Sequence, residues 1–142
     1  MRVRSTETAL AHAIPKGFSQ DALLQFSLQY AQLPTYGSIR TTYEALDVSH
    51  FQCGRTACIS PVSSESVALI NALASNHANS SQLQAALAEH KNRVKACKTG
   101  HGVNRHLLGL KLMADRAEQS PELFADPAYA IITTDFLSTS TL

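Results

Sequence analysis

Hydrophobic residues recur at two different periods along this chain, and the change of period predicts which stretches are helical. A mostly apolar run after Ser19 predicts a first helix, which should end before Pro34. Ser63 or Ser64 is expected to cap a second helix. The third predicted helix is the clearest, because its apolar stripe recurs at steps of three and four residues (Leu83, Leu87, His90, Val94 and Cys97). A fourth predicted helix begins at about Asn104, its expected cap.

Three other stretches have the β-branched and aromatic content of short strands. They are residues 40–46, residues 51–59 and residues 131–142, the last following a turn predicted at residues 126–129. Helical stretches of unequal length separate these strands. We therefore expect an α/β class, arranged as two α+β layers with about four helices and three short strands. A sheet of three strands is thin, which favours a chain that forms part of a larger domain.

Composition and charge narrow the class of protein without indicating a function. The chain has 142 residues, 44% of them hydrophobic, and a formal net charge of +1. This length suits one core, and we expect a poorly defined leader at residues 1–18 followed by one partial domain at residues 19–142. The balanced charge gives no reason to expect nucleic acid as a partner. No run of 18 apolar residues is present, so no transmembrane segment is predicted.

The cysteines and histidines do not form a recognisable metal-binding pattern. Cys53, Cys58 and Cys97 are odd in number and widely spaced, unlike a secreted disulfide framework. A metal site made by His50, Cys53 and Cys58 is conceivable, but its spacing matches no compact zinc pattern, and we predict no metal. On the apolar stripe, His90 is either a hydrogen-bonded core histidine or a ligand, and its position favours the first.

The last residues offer two hydroxyl groups that could share one face. If the segment is extended, Ser138 and Ser140 lie on the same side of the backbone, where one could orient a substrate and the other could stabilise an oxyanion. The alternative is a solvated terminus. A further alternative is a non-catalytic interaction module, because residues 140–142 have the hydroxyl-x-aliphatic form that adds as a strand to a PDZ groove.

Four motifs occur in a fixed order along the chain. They are Thr42-Tyr43-Glu44, Gly54-Arg55-Thr56, Asn104-Arg105-His106-Leu107-Leu108-Gly109-Leu110 and Leu137-Ser138-Thr139-Ser140. Together they resemble the carnitine/choline acyltransferase family, which has Thr-Tyr-Glu-Ser, Gly-Arg-Thr-Glu-Thr-Ile-Arg, Asp-Arg-His-Leu-Leu-Gly-Leu and Ser-Thr-Ser at these places. The tail resembles most the mitochondrial carnitine palmitoyltransferase 2 branch of that family. The resemblance covers nearly all of the chain.

The resemblance implies reversible transfer of a fatty acyl group between coenzyme A and the hydroxyl of carnitine. It implies that Tyr43, Thr56 and Arg105 hold the carnitine carboxylate, for which a guanidinium and two hydroxyls are suitable donors. It implies further that Ser138 positions carnitine and that Ser140 donates to the tetrahedral oxyanion. The alternative for Arg105 is a surface ion pair.

The same resemblance implies residues that contact coenzyme A. Lys16 and Lys91 are candidates for its phosphates, and Asp21 and Glu44 match positions facing the adenosine and pantetheine portions. For the two lysines the alternative is a solvated surface charge. Coenzyme A is then a co-substrate, with no permanently bound cofactor. The implied compartment is mitochondrial, otherwise peroxisomal or cytoplasmic, and longer family members can associate with membranes.

Several residues depart from the family motifs. The hydroxyl and charged positions of the family are replaced by Ala45, Ala57, Cys58, Ser60 and Asn104. The family's general base lies in a Glu-His-x-x-x-Asp motif that this chain does not contain. Its one Glu-His pair lies on the predicted core stripe of the third helix and should not be taken for that base. We therefore expect a C-terminal fragment that is inactive alone, with its catalytic histidine outside the chain.

Overall fold

The computed structural model describes residues 18–139, in which three helices pack on one another beside a small mixed sheet. The strands are β1 (Thr42–Asp47), β2 (Thr56–Ile59) and β3 (Leu137–Ser138). They lie in the order β2-β1-β3, with β1 antiparallel to β2 and parallel to β3. The expected α/β class is confirmed. Within the described residues, no helix is both long and apolar enough to cross a bilayer.

The first helix, α1 (Gln20–Tyr36), begins where the sequence predicts. The Ser19 hydroxyl accepts a hydrogen bond from the Ala22 N–H at 3.2 Å. The predicted end before Pro34 is wrong, because the helix includes Pro34 and continues to Tyr36. A proline in the last turn forfeits only its own N–H bond, and the Gly37 N–H closes the turn on the Leu33 carbonyl at 2.9 Å.

The next two helices, α2 (Ser64–Ala74) and α3 (Ser80–Ala96), both start with reciprocal caps. For α2 the cap is Ser63, whose hydroxyl accepts from the Ser66 N–H while the Ser66 hydroxyl accepts from the Ser63 N–H. The side chains of Asn79 and Gln82 form the same exchange in α3. The cap at Asn79 therefore fixes the start of α3 at Ser80.

The main core lies between these three helices. Its buried members are Ala22, Phe26, Leu69, Ile70 and Ala86. A second cluster joins the sheet to the end of α3 and consists of Leu46, Val48, Ala57, Ile59 and Cys97. Leu46 of β1 belongs to the second cluster, and the even-numbered residues of β1 from Thr42 to Leu46 are buried. The odd-numbered residues Tyr43, Ala45 and Asp47 project to the other face of β1, which is the more accessible one.

A π-helical turn (Cys97–His101) links α3 to α4 (Val103–Arg116). Gly100 has φ 89°, a left-handed conformation that glycine adopts without steric cost and that interrupts the helix. The predicted cap of α4 is wrong, because the cap is Gly102 and Asn104 lies inside the helix. The side chain of Asn104 instead donates to the Cys58 sulfur, which ties α4 to β2.

Two further departures from the predictions concern loops. The expected strand at residues 51–59 is reduced to β2, because residues 51–54 form a turn in which a Cβ at Gly54 would collide with the Val48 carbonyl oxygen. The expected turn and extended stretch after residue 125 contain helix α6 (Pro127–Ile132), preceded by the short α5 (Glu122–Ala125). The Asp126 carboxylate caps α6 by accepting from the Ala128 N–H at 2.7 Å. The described residues therefore hold six α-helices rather than four.

Candidate functional site

The free face of the sheet carries three of the residues expected to hold carnitine. Tyr43 of β1 lies directly beside Ser138 of β3 in the parallel register. Thr56 of β2 is opposite Asp47, which shares a face with Tyr43 because the two are four residues apart in β1. Two strand pairings thus bring Tyr43, Thr56 and Ser138 to one surface.

Helix α4 adds Arg105 to that surface. Arg105 lines one cavity together with Thr56 and a second cavity together with Tyr43. The first cavity has a volume of about 610 Å³ and the second about 370 Å³. Arg105 is exposed, so its guanidinium is free to meet an anionic group. The arrangement offers one cation and neighbouring hydroxyl groups, which suits a carboxylate.

The second cavity also contains an acidic side chain that the sequence did not suggest. Asp135 lines it together with Tyr43 and Arg105. Burial raises the pKa of the Asp135 carboxyl above its ordinary value.

A third cavity, of about 800 Å³, collects three of the four residues expected to face coenzyme A. Asp21 of α1, Glu44 of β1 and Lys91 of α3 all line it. Lys98 lines it as well and provides a second cation that the motifs did not indicate. The fourth expected residue, Lys16, lies outside the described residues, as does the expected oxyanion donor Ser140.

The inner wall of this third cavity is a cluster of titratable groups. Nε2 of His90 is 3.1 Å from Oε2 of Glu44 and 3.8 Å from Oδ2 of Asp21. Both Glu44 and His90 are buried, with 3% and 4% of their surfaces exposed, whereas the Asp21 side chain is 52% exposed. His90 is thus a hydrogen-bonded histidine of the interior, as its place on the apolar stripe predicts.

The electrostatics of this cluster are unfavourable for two ionised carboxylates. Burial first, and then the adjacent Glu44 carboxyl, raises the pKa of Asp21 from its ordinary 3.8 to about 6. His90 and Lys98 act in the opposite direction with smaller effects. The Asp21 carboxyl therefore changes between its protonated and ionised forms near pH 6.

Comparison with known proteins shows the family to which the chain belongs. The family model for choline/carnitine O-acyltransferase matches residues 7–142. The chain belongs to this family. It is 37% identical over 127 residues to "Carnitine O-acetyltransferase" of Columba livia, covering 86% of this chain and 20% of that protein. It is 38% identical over 134 residues to "Carnitine O-palmitoyltransferase 2, mitochondrial" of Mus musculus, covering 89% of this chain and 20% of that protein.

Membership of the family confirms the resemblance seen in the motifs and makes this an acyltransferase-family chain. The chain spans about a fifth of the length of the relatives it matches. "Carnitine O-acetyltransferase" of Homo sapiens matches to the same extent, at 35% identity over 127 residues. The chain therefore matches one portion of these longer proteins.

The structure also shows a contact that the sequence does not predict. The side-chain amide of Asn104 donates to the Cys58 sulfur at 3.1 Å, and a thiol sulfur is a weak acceptor. The two residues are 46 positions apart in sequence, so only the structure shows that they are partners.

Proposed function

We propose that this chain provides the carnitine-binding and part of the coenzyme A-binding surface of a carnitine O-acyltransferase. The reaction is the reversible transfer of a fatty acyl group between coenzyme A and the carnitine hydroxyl. The observations that carry the proposal are that Tyr43, Thr56 and Ser138 share one face of the sheet, and that Arg105 lines one cavity with Thr56 and another with Tyr43. Family membership supports the same conclusion.

In the proposed mechanism Arg105 binds the carboxylate of carnitine, and the hydroxyls of Tyr43 and Thr56 satisfy its remaining acceptor positions. Ser138 positions the rest of the molecule. Ser140 donates a hydrogen bond to the oxyanion of the tetrahedral intermediate, where such a donor stabilises charge that develops during the reaction. Choline would bind less well, because it has no carboxylate to satisfy the desolvated donors.

The general base of the reaction is placed outside residues 1–142. The chain contains no Glu-His-x-x-x-Asp motif. Its His90 is buried beside Glu44, and Glu44 is adjacent to Tyr43 in β1, so the two side chains project to opposite faces. His90 therefore cannot reach a hydroxyl that is bound over Tyr43.

Coenzyme A is proposed to enter the cavity lined by Asp21, Glu44 and Lys91. Lys91 and Lys98 supply positive charge at its exposed rim, which suits phosphate groups. Lys16 is proposed as a further phosphate contact. Coenzyme A acts here as a co-substrate and not as a resident cofactor.

A mitochondrial location is proposed from the branch that the tail resembles, with a peroxisomal or cytoplasmic location as the alternative. One of the matched relatives carries "mitochondrial" in its name. Cell fractionation with an antibody to residues 64–96 tests this directly. Enrichment in the mitochondrial fraction is expected, and enrichment in either other fraction would overturn this part of the proposal.

The activity is tested on the protein encoded by the full reading frame, by measuring acylcarnitine formed from acyl-coenzyme A and carnitine. Loss of the oxyanion donor in Ser140→Ala should lower kcat about 100- to 1000-fold. Loss of the guanidinium in Arg105→Asn should raise KM for carnitine. The control Ser81→Ala changes an exposed serine in the first turn of α3 and should leave both constants unchanged.

Two results would overturn the proposal. The first is equal transfer to choline and carnitine, which would remove the role of the carboxylate. The second is an unchanged KM for carnitine in Arg105→Asn. For the 142-residue chain on its own, no turnover is expected.

A further inference from the structure

The buried side of α1 carries a glutamine that reaches across the fold to Thr139. Nε2 of Gln25 donates a hydrogen bond to the Thr139 hydroxyl at 2.8 Å, although 114 residues separate the two in sequence. Only 2% of the Gln25 surface is exposed. Its other amide atom, Oε1, is buried and has no hydrogen-bond partner among residues 18–139. An apolar side chain of similar volume would avoid that cost, so packing alone does not account for an amide at this position.

Thr139 uses its backbone and its side chain to bind the same carbonyl group. Its N–H donates to the Tyr43 carbonyl at 2.8 Å, and its hydroxyl donates to that carbonyl at 3.0 Å. Because the hydroxyl proton is used on Tyr43, the hydroxyl oxygen accepts from Gln25, which places the nitrogen of the Gln25 amide toward Thr139. These hydrogen bonds form one continuous chain from α1 through Thr139 to β1.

This chain of hydrogen bonds lies directly behind the serine side chains of the proposed carnitine site. Thr139 follows β3, and neighbouring residues of an extended segment project to opposite sides. Ser138 is beside Tyr43 on the more accessible face, whereas the Thr139 side chain meets Gln25 of α1. Strand β3 has only two residues, so its pairing with β1 is short. The bonds at Thr139 therefore contribute much of what holds the end of this strand.

We propose that Gln25 and Thr139 are positioning residues for acyl transfer, and that they hold Ser138 and Ser140 at the places where these serines act. The inference rests on the proposed function, in which Ser138 positions carnitine and Ser140 donates to the oxyanion. Both serines are bonded to Thr139 in the chain, so a movement of Thr139 displaces each of them. An oxyanion donor acts only over a narrow range of distances, and a displacement of about 1 Å can lower the rate about 100-fold.

Neither positioning residue is a candidate from the sequence. Gln25 lies among the apolar residues of the first predicted helix, and Thr139 lies between the two serines to which the motif assigns roles. A buried glutamine and a threonine that are 114 residues apart have no spacing that would connect them. The packing of α1 beside β1 and β3 supplies the connection.

The kinetic test uses the protein encoded by the full reading frame, with saturating acyl-coenzyme A and varied carnitine. Thr139→Val keeps the side-chain shape and the backbone bond but removes the hydroxyl, and Gln25→Leu removes the amide. Each should lower kcat about 10- to 100-fold. Thr139→Ser retains the hydroxyl and should restore most of the parent kcat. The double variant should be no slower than the slower single variant, because both residues act through one chain of hydrogen bonds.

A matched control separates positioning from a general loss of stability. Gln29 lies one turn further along α1, has 1% of its surface exposed and donates to the Pro61 carbonyl at 3.2 Å. Gln29→Leu therefore also loses a buried hydrogen bond, and its melting temperature should fall about as much as that of Gln25→Leu. Its kcat and its KM for carnitine should nevertheless stay within about twofold of the parent values.

A second measurement does not depend on turnover. Hydrogen–deuterium exchange of the peptide of residues 136–142, in the same protein without substrates, reports how firmly this segment is held. Exchange should be at least about 10-fold faster in Gln25→Leu and in Thr139→Val than in the parent, because their opening costs less free energy. In Gln29→Leu it should equal that of the parent.

Three results are decisive. The inference is overturned if Gln25→Leu and Gln29→Leu exchange residues 136–142 at the same rate. It is also overturned if an active parent and Gln25→Leu have the same kcat, since the contact would then be structural only. A parent that transfers no acyl group to carnitine would instead overturn the proposed function, and the positioning role with it, whatever the exchange rates show.

Discussion

The side-chain amide of Asn104 donates a hydrogen bond to the thiol sulfur of Cys58 across 3.1 Å. The contact joins α4 to β2 immediately beside Arg105, the cation of the proposed carnitine site. Cys58 is buried and Asn104 is exposed, so the bond is formed at the edge of the interior. It links two residues that individually depart from the family motifs.

This contact predicts energetic coupling between the two residues. In a double-mutant cycle of Cys58→Ala and Asn104→Ala, the coupling free energy should be about 0.5 to 1 kcal/mol, as expected for one hydrogen bond of modest strength. Urea unfolding of the four chains measures it. In a control cycle, Cys58→Ala and Asn92→Ala, which changes an exposed residue of α3, should be additive. Additivity in both cycles would show that the contact does not contribute to stability.

The raised pKa of Asp21 predicts that stability falls as pH increases through the weakly acidic range. The carboxyl has a pKa of about 6 in the folded chain and 3.8 as its ordinary value, so folding favours its protonated form. The contribution is complete below about pH 4 and is lost as pH rises through 6. Unfolding in a chelating buffer at several pH values measures this loss.

Replacing the Asp21 carboxyl with an amide should remove its contribution to the pH dependence of stability. Relative to the parent, Asp21→Asn should therefore gain stability as pH rises from 4 to 7, by on the order of 1 kcal/mol, because solvent screens a half-exposed group. The control Asp115→Asn changes an exposed carboxyl on α4 and should follow the parent curve. A constant difference between Asp21→Asn and the parent would contradict the assignment.

Replacement by alanine is expected to change stability in opposite directions at Gly54 and at Gly109. Gly54→Ala should destabilise the chain by about 1 to 3 kcal/mol, because the new Cβ would meet the Val48 carbonyl in the turn before Thr56. Gly109→Ala should stabilise it by about 0.5 to 1 kcal/mol, since Gly109 lies within α4 with nothing within 4 Å of its Cβ direction. Thermal unfolding of both variants measures the signs. Stabilisation by Gly54→Ala would show that this turn differs from the description.

The local signals in the sequence predict most of the elements correctly. Ser63 and the apolar stripe of α3 locate two helices because caps and periodicity are properties of neighbouring residues. The sequence does not predict the helix at Pro127–Ile132, because its β-branched end favours a strand whereas the Asp126 cap starts a helix. Similarly, Asn104 has the residue type of a cap but makes its hydrogen bond across the structure.

The candidate sites depend on contacts between residues that are distant in sequence. The sequence therefore predicts these sites less well than it predicts the helices. Resemblance to the family motifs groups Tyr43, Thr56 and Arg105, whereas their spacing in the sequence does not. The association of Asp21, Glu44 and His90 required the packing of α1 and α3 on the sheet. Residues 16 and 140 remain predictions from the motifs, because they lie outside the described residues.

The central claim is that Arg105, with Tyr43 and Thr56, binds the carboxylate of carnitine. The most direct measurement follows the side-chain NMR signal of Arg105 in the 142-residue chain during titration with L-carnitine and, separately, with choline. A saturable shift is predicted with carnitine and none with choline.

In Arg105→Gln, calorimetry should show carnitine binding weakened about 10- to 100-fold, the range expected for a charge-assisted hydrogen bond. The control Arg116→Gln, at the far end of the same helix, should bind carnitine as the parent does. Equal responses to carnitine and choline, or unchanged carnitine binding by Arg105→Gln, would contradict the account.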